Sequence, residues 1–130
     1  MLGELEGDGR IVICDLEAGV GAVVRAGGAD VVLVVSEPSA KSIEVARRAA
    51  EIAAESSRVI VVANQVRDDA DLEAIRAVVG DHELVVVPEE PAIAHADRDG
   101  VAPIDVDAEA PGVRALVDLA DRLAGAPVRA

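Results

Sequence analysis

Asp15, the turn Ser36-Glu37-Pro38, Asn64 and the run Pro88-Glu89-Glu90 are the polar positions at which four apolar runs of this sequence break off. The runs are Ile11-Val12-Ile13-Cys14, Val31 to Val35, Val59 to Ala63 and Leu84 to Val87. Short continuous runs rich in β-branched residues read as strands buried on both faces. Parallel strands bring their carboxyl ends to one edge, and ligands bind outside that edge in open α/β sheets. A rim built this way carries definite chemistry. An ionised Asp15 can hold a magnesium-bound water, because Mg²⁺ keeps most of its waters and takes one or two carboxylates. The carboxamide of Asn64 can hydrogen-bond a purine edge through its donor and acceptor. Plainer roles compete: an Asp before a turn also serves as a cap, and the pairs Asp68-Asp69 and Glu89-Glu90 also serve as solvated or helix-start charges.

The segments between the runs have the spacing of helices, and these must position the rim. Pro38 ends a strand and Ser39 can cap a helix in which Ile43, Ala46, Ala50 and Ala53 recur on one face, with Val45, Ala49 and Ile52 on its flank. Glu44 with Arg48, and Arg47 with Glu51, stand four apart on the solvated side. Asp69 and Asp71 precede Leu72, Ile75, Val78 and Val79, a short amphipathic helix stopped by Gly80. A helix over 90–98 ends at Gly100. Pro111 opens a last helix with Val113, Leu116, Ala120 and Leu123 expected on its buried face and Gly125 after its end. Val20 to Ala26 reads as a short helix or ordered loop. Strand and helix alternate, which implies right-handed crossovers and a parallel sheet of about four strands flanked by helices, an α/β, Rossmann-like fold. The domain is expected over 10–125, after a flexible lead-in at 1–9 and before a frayed tail at 126–130.

Composition limits what this domain can be. With 130 residues and no Phe, Tyr or Trp, its core must be made of Val, Ile, Leu and Ala, which suits close packing of helices on a sheet. The formal charge of −13 repels phosphate backbones and anionic headgroups, so nucleic acid and acidic membranes are not expected partners. Cys14 is the single cysteine, expected as a small buried hydrophobe, and one chain can form neither a disulfide nor a cysteine cluster. His82 and His95 lack matched partners and read as surface or capping residues. No signal-like start and no apolar stretch of ~18 residues is present, which reads as a soluble, cytoplasmic protein.

The series Val-Ile-Cys-Asp-Leu-Glu-Ala-Gly at 12–19, Val-Val-Ser-Glu-Pro-Ser at 34–39, Val-Val-Ala-Asn-Gln-Val at 61–66 and Val-Val-Pro-Glu-Glu at 86–90 resembles the C-terminal two thirds of a deviant-Walker P-loop ATPase. The likeness is to the MinD/ParA group, particularly the carbon monoxide dehydrogenase maturation ATPases with their Asp-x-Glu-Ala-Gly sequence, and more distantly to the nitrogenase iron protein. It covers about residues 10–124. The resemblance implies that Asp15 is the catalytic switch-region carboxylate that holds magnesium through water, and that Glu17, Ala18 and Gly19 form a turn near the γ-phosphate. It also implies that Asn64 reads adenine, that Pro88 and Glu89 line the base pocket, that ATP and Mg²⁺ are the cofactors, and that the protein forms a homodimer.

One part of the pattern is missing. Members of this group carry a Gly-rich phosphate loop with Lys and Ser or Thr, whose amides cradle the phosphates and whose hydroxyl ligates magnesium. No Gly-Lys-Ser/Thr occurs here, and Lys41, the single lysine, lies in the helix after Ser39. Without that loop most of the electrostatic stabilisation of phosphoryl transfer is gone, so the isolated chain is expected not to hydrolyse ATP. A second reading is a degenerate scaffold that binds a protein partner, or itself, through an exposed sheet edge. A receiver-like phosphoacceptor at Asp15 is the weakest reading, since such a module requires an acidic pair at the first strand and a lysine after the last.

Overall fold

Three of the four apolar runs form strands, and the polar residues after them start helices. The computed structural model describes residues 9–16, 21 and 28–125. Its elements are β1 (Val31–Ser36), α1 (Ala40–Ala53), β2 (Arg58–Val66), α2 (Asp69–Val79), β3 (Glu83–Pro88), α3 (Pro91–Asp99), the single turn α4 (Pro103–Val106) and α5 (Pro111–Ala124). The strands form one sheet in the order β1-β2-β3, parallel throughout, with Leu33 opposite Ile60 and Val62 opposite Val85.

Alternation along β2 divides the core in two. Val59, Val61 and Ala63 point to the face covered by α1 and α2, where they meet Val34, Ile43, Ala46, Ala50, Ala53, Ile75 and Val79. Ile60 and Val62 point to the opposite face, with Val87 and Leu119 of α5. The alanines of α1 present little bulk, so that helix approaches the sheet closely in a protein without aromatic rings. α1 starts where Ser39 accepts a hydrogen bond from the Ser42 amide at 3.2 Å, and α2 where Asp68 accepts one from the Asp71 amide at 2.9 Å. α3 ends at Gly100, whose φ of 67° is the left-handed conformation that glycine adopts without a Cβ clash. At the amino ends of the strands Glu83 joins Arg58 of β2 at 2.9 Å to Arg122 of α5 at 3.1 Å.

Two expectations need correction. Residues 10–16 are irregular and exposed, so the sheet has three described strands, and Cys14 lies at the surface instead of in a core. Ile13 is 86% exposed. β-branched residues favour strands by packing against neighbours, and among the described residues no neighbour receives this run. In α5 the buried stripe is also rotated. Leu119 is buried and Leu116 is 38% exposed, with Ala120 exposed as well, whereas the spacing points to Leu116 and Ala120. The cause lies at the start of the helix: Gly112 packs tightly on Glu90, and Gly112, Ala115, Leu119 and Leu123 then share the side that faces the sheet. The lead-in 1–8, the expected helix or loop at 20 and 22–26, and the tail 126–130 lie outside the described residues.

Candidate functional site

Parallel pairing brings the carboxyl ends of all three strands to one rim. Ser36 pairs with Ala63, Asn64 with Val87 and Val66 with Pro88, so Ser36, Asn64 and Pro88 are close in space although far apart in sequence. The Ser36 side chain is fully buried and donates to the Glu37 carbonyl at 3.1 Å, while the Glu37 amide donates to Ser42 Oγ at 2.9 Å. These bonds tie the turn Ser36-Glu37-Pro38 to the first turn of α1, as expected of a strand end that opens a helix.

The tip of β2 is where the rim departs from regular structure. The ladder slips between Asn64 and Val66, and Gln65 between them takes φ 57°, a left-handed conformation that is unfavourable for a residue with a Cβ. Bulges of this kind re-aim side chains. Asn64 is half-buried at this slip, with a donor and an acceptor on its carboxamide. The Glu89 amide donates to the Val66 carbonyl at 2.9 Å, which holds Pro88 and the exposed Glu89 beside the bulge. Glu90 is used differently. Its Oε1 accepts the Gly112 amide of α5 at 2.8 Å and its Oε2 the Ala92 amide of α3 at 3.4 Å, so one carboxylate caps two helices and is not left for a ligand.

Gln65 and Arg67 are rim residues that the apolar pattern did not single out. The Arg67 guanidinium bonds both carboxylate oxygens of Asp71, at 2.9 and 3.2 Å, and its amide donates to the same carboxylate at 3.0 Å. The guanidinium holds the Asp71 carboxyl below its ordinary range, and Asp71 in turn raises Arg67. A positive charge at the tip of β2 was legible as an Arg one residue beyond an apolar run, but its engagement with Asp71 was not. Of the two histidines, His95 pairs with Asp99 at 3.0 Å on the exposed side of α3, a surface role.

Asp15 stands in the exposed irregular segment, and Glu17, Ala18 and Gly19 lie outside the described residues. Among the described residues no three His, Cys, Asp or Glu side chains converge in a way that holds a metal ion. Because Glu17 lies outside the described residues, no step through a magnesium ion at Asp15 is derived. Among the same residues no helix is long and apolar enough to cross a membrane.

A parallel sheet with helices on both faces and its strand carboxyl ends along one rim defines an open α/β architecture. The arrangement is MinD/ParA-like, a P-loop type of fold. It is similar to the structure of the MinD cell division protein of Aquifex aeolicus, with a TM-score of 0.59 and 26% identity, over 84% of this chain and 50% of that one. The chain thus spans half the length of the MinD chain that it matches. No protein-family model and no curated protein sequence matches it.

Proposed function

We propose that the chain is the C-terminal part of a MinD/ParA-type ATP-binding protein, with the motif likeness pointing to the carbon monoxide dehydrogenase maturation ATPases. Its rim takes the base side of the nucleotide, and the isolated chain does not hydrolyse ATP. The observation that carries this reading is the bulge at Asn64 to Val66, which interrupts the ladder at the half-buried Asn64 beside the ends of β1 and β3. In this reading Asn64 hydrogen-bonds the adenine edge and Pro88 and Glu89 wall the base. Glu17 and Gly19 belong to the turn near the γ-phosphate, and Asp15 acts on Mg²⁺ through water once a phosphate loop is present.

Calorimetric titration with ATP and Mg²⁺ tests it. Binding tighter than ~1 mM, about −4 kcal/mol, is expected. Asn64→Ala should weaken it by about 1 kcal/mol, the usual net value of one hydrogen bond. No heat at millimolar ATP, or equal affinity in the variant, refutes a surviving base site. The exposed apolar side chains of β1 favour a second reading, in which the chain acts as a scaffold that binds a protein partner or a second copy at its sheet edge.

A further inference from the structure

α3 and α5 begin alike. Each has proline as its first residue, Pro91 and Pro111, which offers no amide, so the first donor of each helix is the amide of its second residue, Ala92 or Gly112. A helix start is ordinarily capped by the residue just before it, and Glu90 does this for α3. α5 cannot be capped in that way, because Ala110 stands at its cap position and carries no side-chain acceptor. Its cap is the same Glu90, brought in from 22 positions earlier. One half-buried carboxylate thus sits between two positive helix ends, with one oxygen on each.

Glu90 also follows Pro88 and Glu89 directly in the chain, and that pair is held from two sides. On the β2 side the Glu89 amide donates to the Val66 carbonyl, just past the slip in the ladder. On the other side the chain runs into Glu90, whose Cβ lies so close to Gly112 that a side chain there would collide with it. The backbone carbonyl of Glu90 accepts the Ile93 and Ala94 amides at 3.1 and 3.2 Å, which ties it only to its own helix. Its carboxylate is the group that reaches α5.

We propose that Glu90 is the positioning residue of the base site: through its carboxylate the seat of α5 fixes the wall Pro88-Glu89, and a ligand on that wall is felt at the start of α5. By linkage the effect is reciprocal. The tie stands on the bonds of Glu90, and only the ligand, an adenine nucleotide, rests on the ATP reading.

The test follows two amides by hydrogen exchange in the full chain, Glu89 on the wall and Gly112 on α5. In Glu90→Ala both should exchange faster, Glu89 by about fivefold or more. Glu90→Gln keeps an oxygen acceptor at the same reach and should return both to within about twofold of the parent. Leu123→Ala loosens the far end of the same helix, about 16 Å from Gly112, and should leave the Glu89 amide unchanged. If Glu90→Ala does not fold, Gly112→Ala takes its place by pushing on Glu90 from the α5 side, with the same acceleration expected at Glu89. A Glu89 amide that does not respond, or that Leu123→Ala speeds equally, overturns the proposal and reduces Glu90 to a local helix cap. A Glu90→Gln protein that behaves like Glu90→Ala does the same. Titration with ATP and Mg²⁺ separates the two ideas. Slower exchange at Gly112 as ATP binds, and about fivefold weaker binding by Glu90→Ala than by Glu90→Gln, are expected. ATP binding that leaves Gly112 unchanged overturns the link from wall to helix, whereas an absence of ATP binding removes the nucleotide and leaves the tie to be decided by the variants.

Discussion

Replacing Gly112 by Ala tests how the rim is held in place. A Cβ on Gly112 would lie 2.5 Å from Glu90 Cβ and 2.9 Å from Glu90 Cγ, far inside van der Waals contact. The nearer atom is fixed to the backbone, so rotating the Glu90 side chain does not relieve the clash, and α5 must move away from residue 90. Over-packing of this kind costs ~1–3 kcal/mol. The same movement lengthens the 2.8 Å bond from the Gly112 amide to Glu90, worth about 1 kcal/mol. Ala is the better helix former by ~0.5–1 kcal/mol, which offsets part of the loss. The net expectation is a destabilisation of about 1–3 kcal/mol, read as a lower urea midpoint at constant slope, and about 4 °C in Tm for each kcal/mol. In a Glu90→Gly background the clashing atom is gone, and Gly112→Ala should become neutral or favourable. A Gly112→Ala protein as stable as the parent would refute the idea that this contact sets the seat of α5 and, through Glu90, the position of Pro88 and Glu89.

Leu119→Ala should cost ~2–4 kcal/mol, and Leu116→Ala on the neighbouring stripe less than about 1, in the same denaturation experiment; equal losses would mean that α5 is rotated from its described position. Gln65→Gly relieves the left-handed backbone at φ 57° and should stabilise by ~0.5–1 kcal/mol, whereas Gln65→Val should destabilise by about as much or more. Hydrogen bonds from Arg47 are the largest cause that lowers the Glu44 carboxyl from 4.5 to about 2. A carboxylate lowered on folding stabilises fully above its unfolded value and loses that contribution as pH falls through the folded value. The stability difference between the parent and Glu44→Gln should therefore be constant above pH 5 and shrink between about pH 4.5 and 2, and should be small because the pair is exposed. A difference that grows on acidification would contradict the pairing with Arg47.

Most of the architecture was legible in the chain because it depends on local signals. The runs Val31 to Val35, Val59 to Ala63 and Leu84 to Val87 lie within the observed strands, and Ser39, Gly100 and Pro111 mark helix ends where they were expected, because caps and turn residues act within a few positions of themselves. Alternation of strand and helix was enough to place Ser36, Asn64 and Pro88 on one rim, since parallel pairing follows from crossover length and hand. The features that pattern could not supply all depend on a partner distant in sequence. Ile11 to Cys14 has the composition of a strand but no described neighbour to pair with, so composition alone misread it. The face that α5 turns to the sheet was decided by the meeting of Gly112 with Glu90, 22 positions earlier. Both apolar stripes of that helix satisfy its period, and long-range packing chose between them.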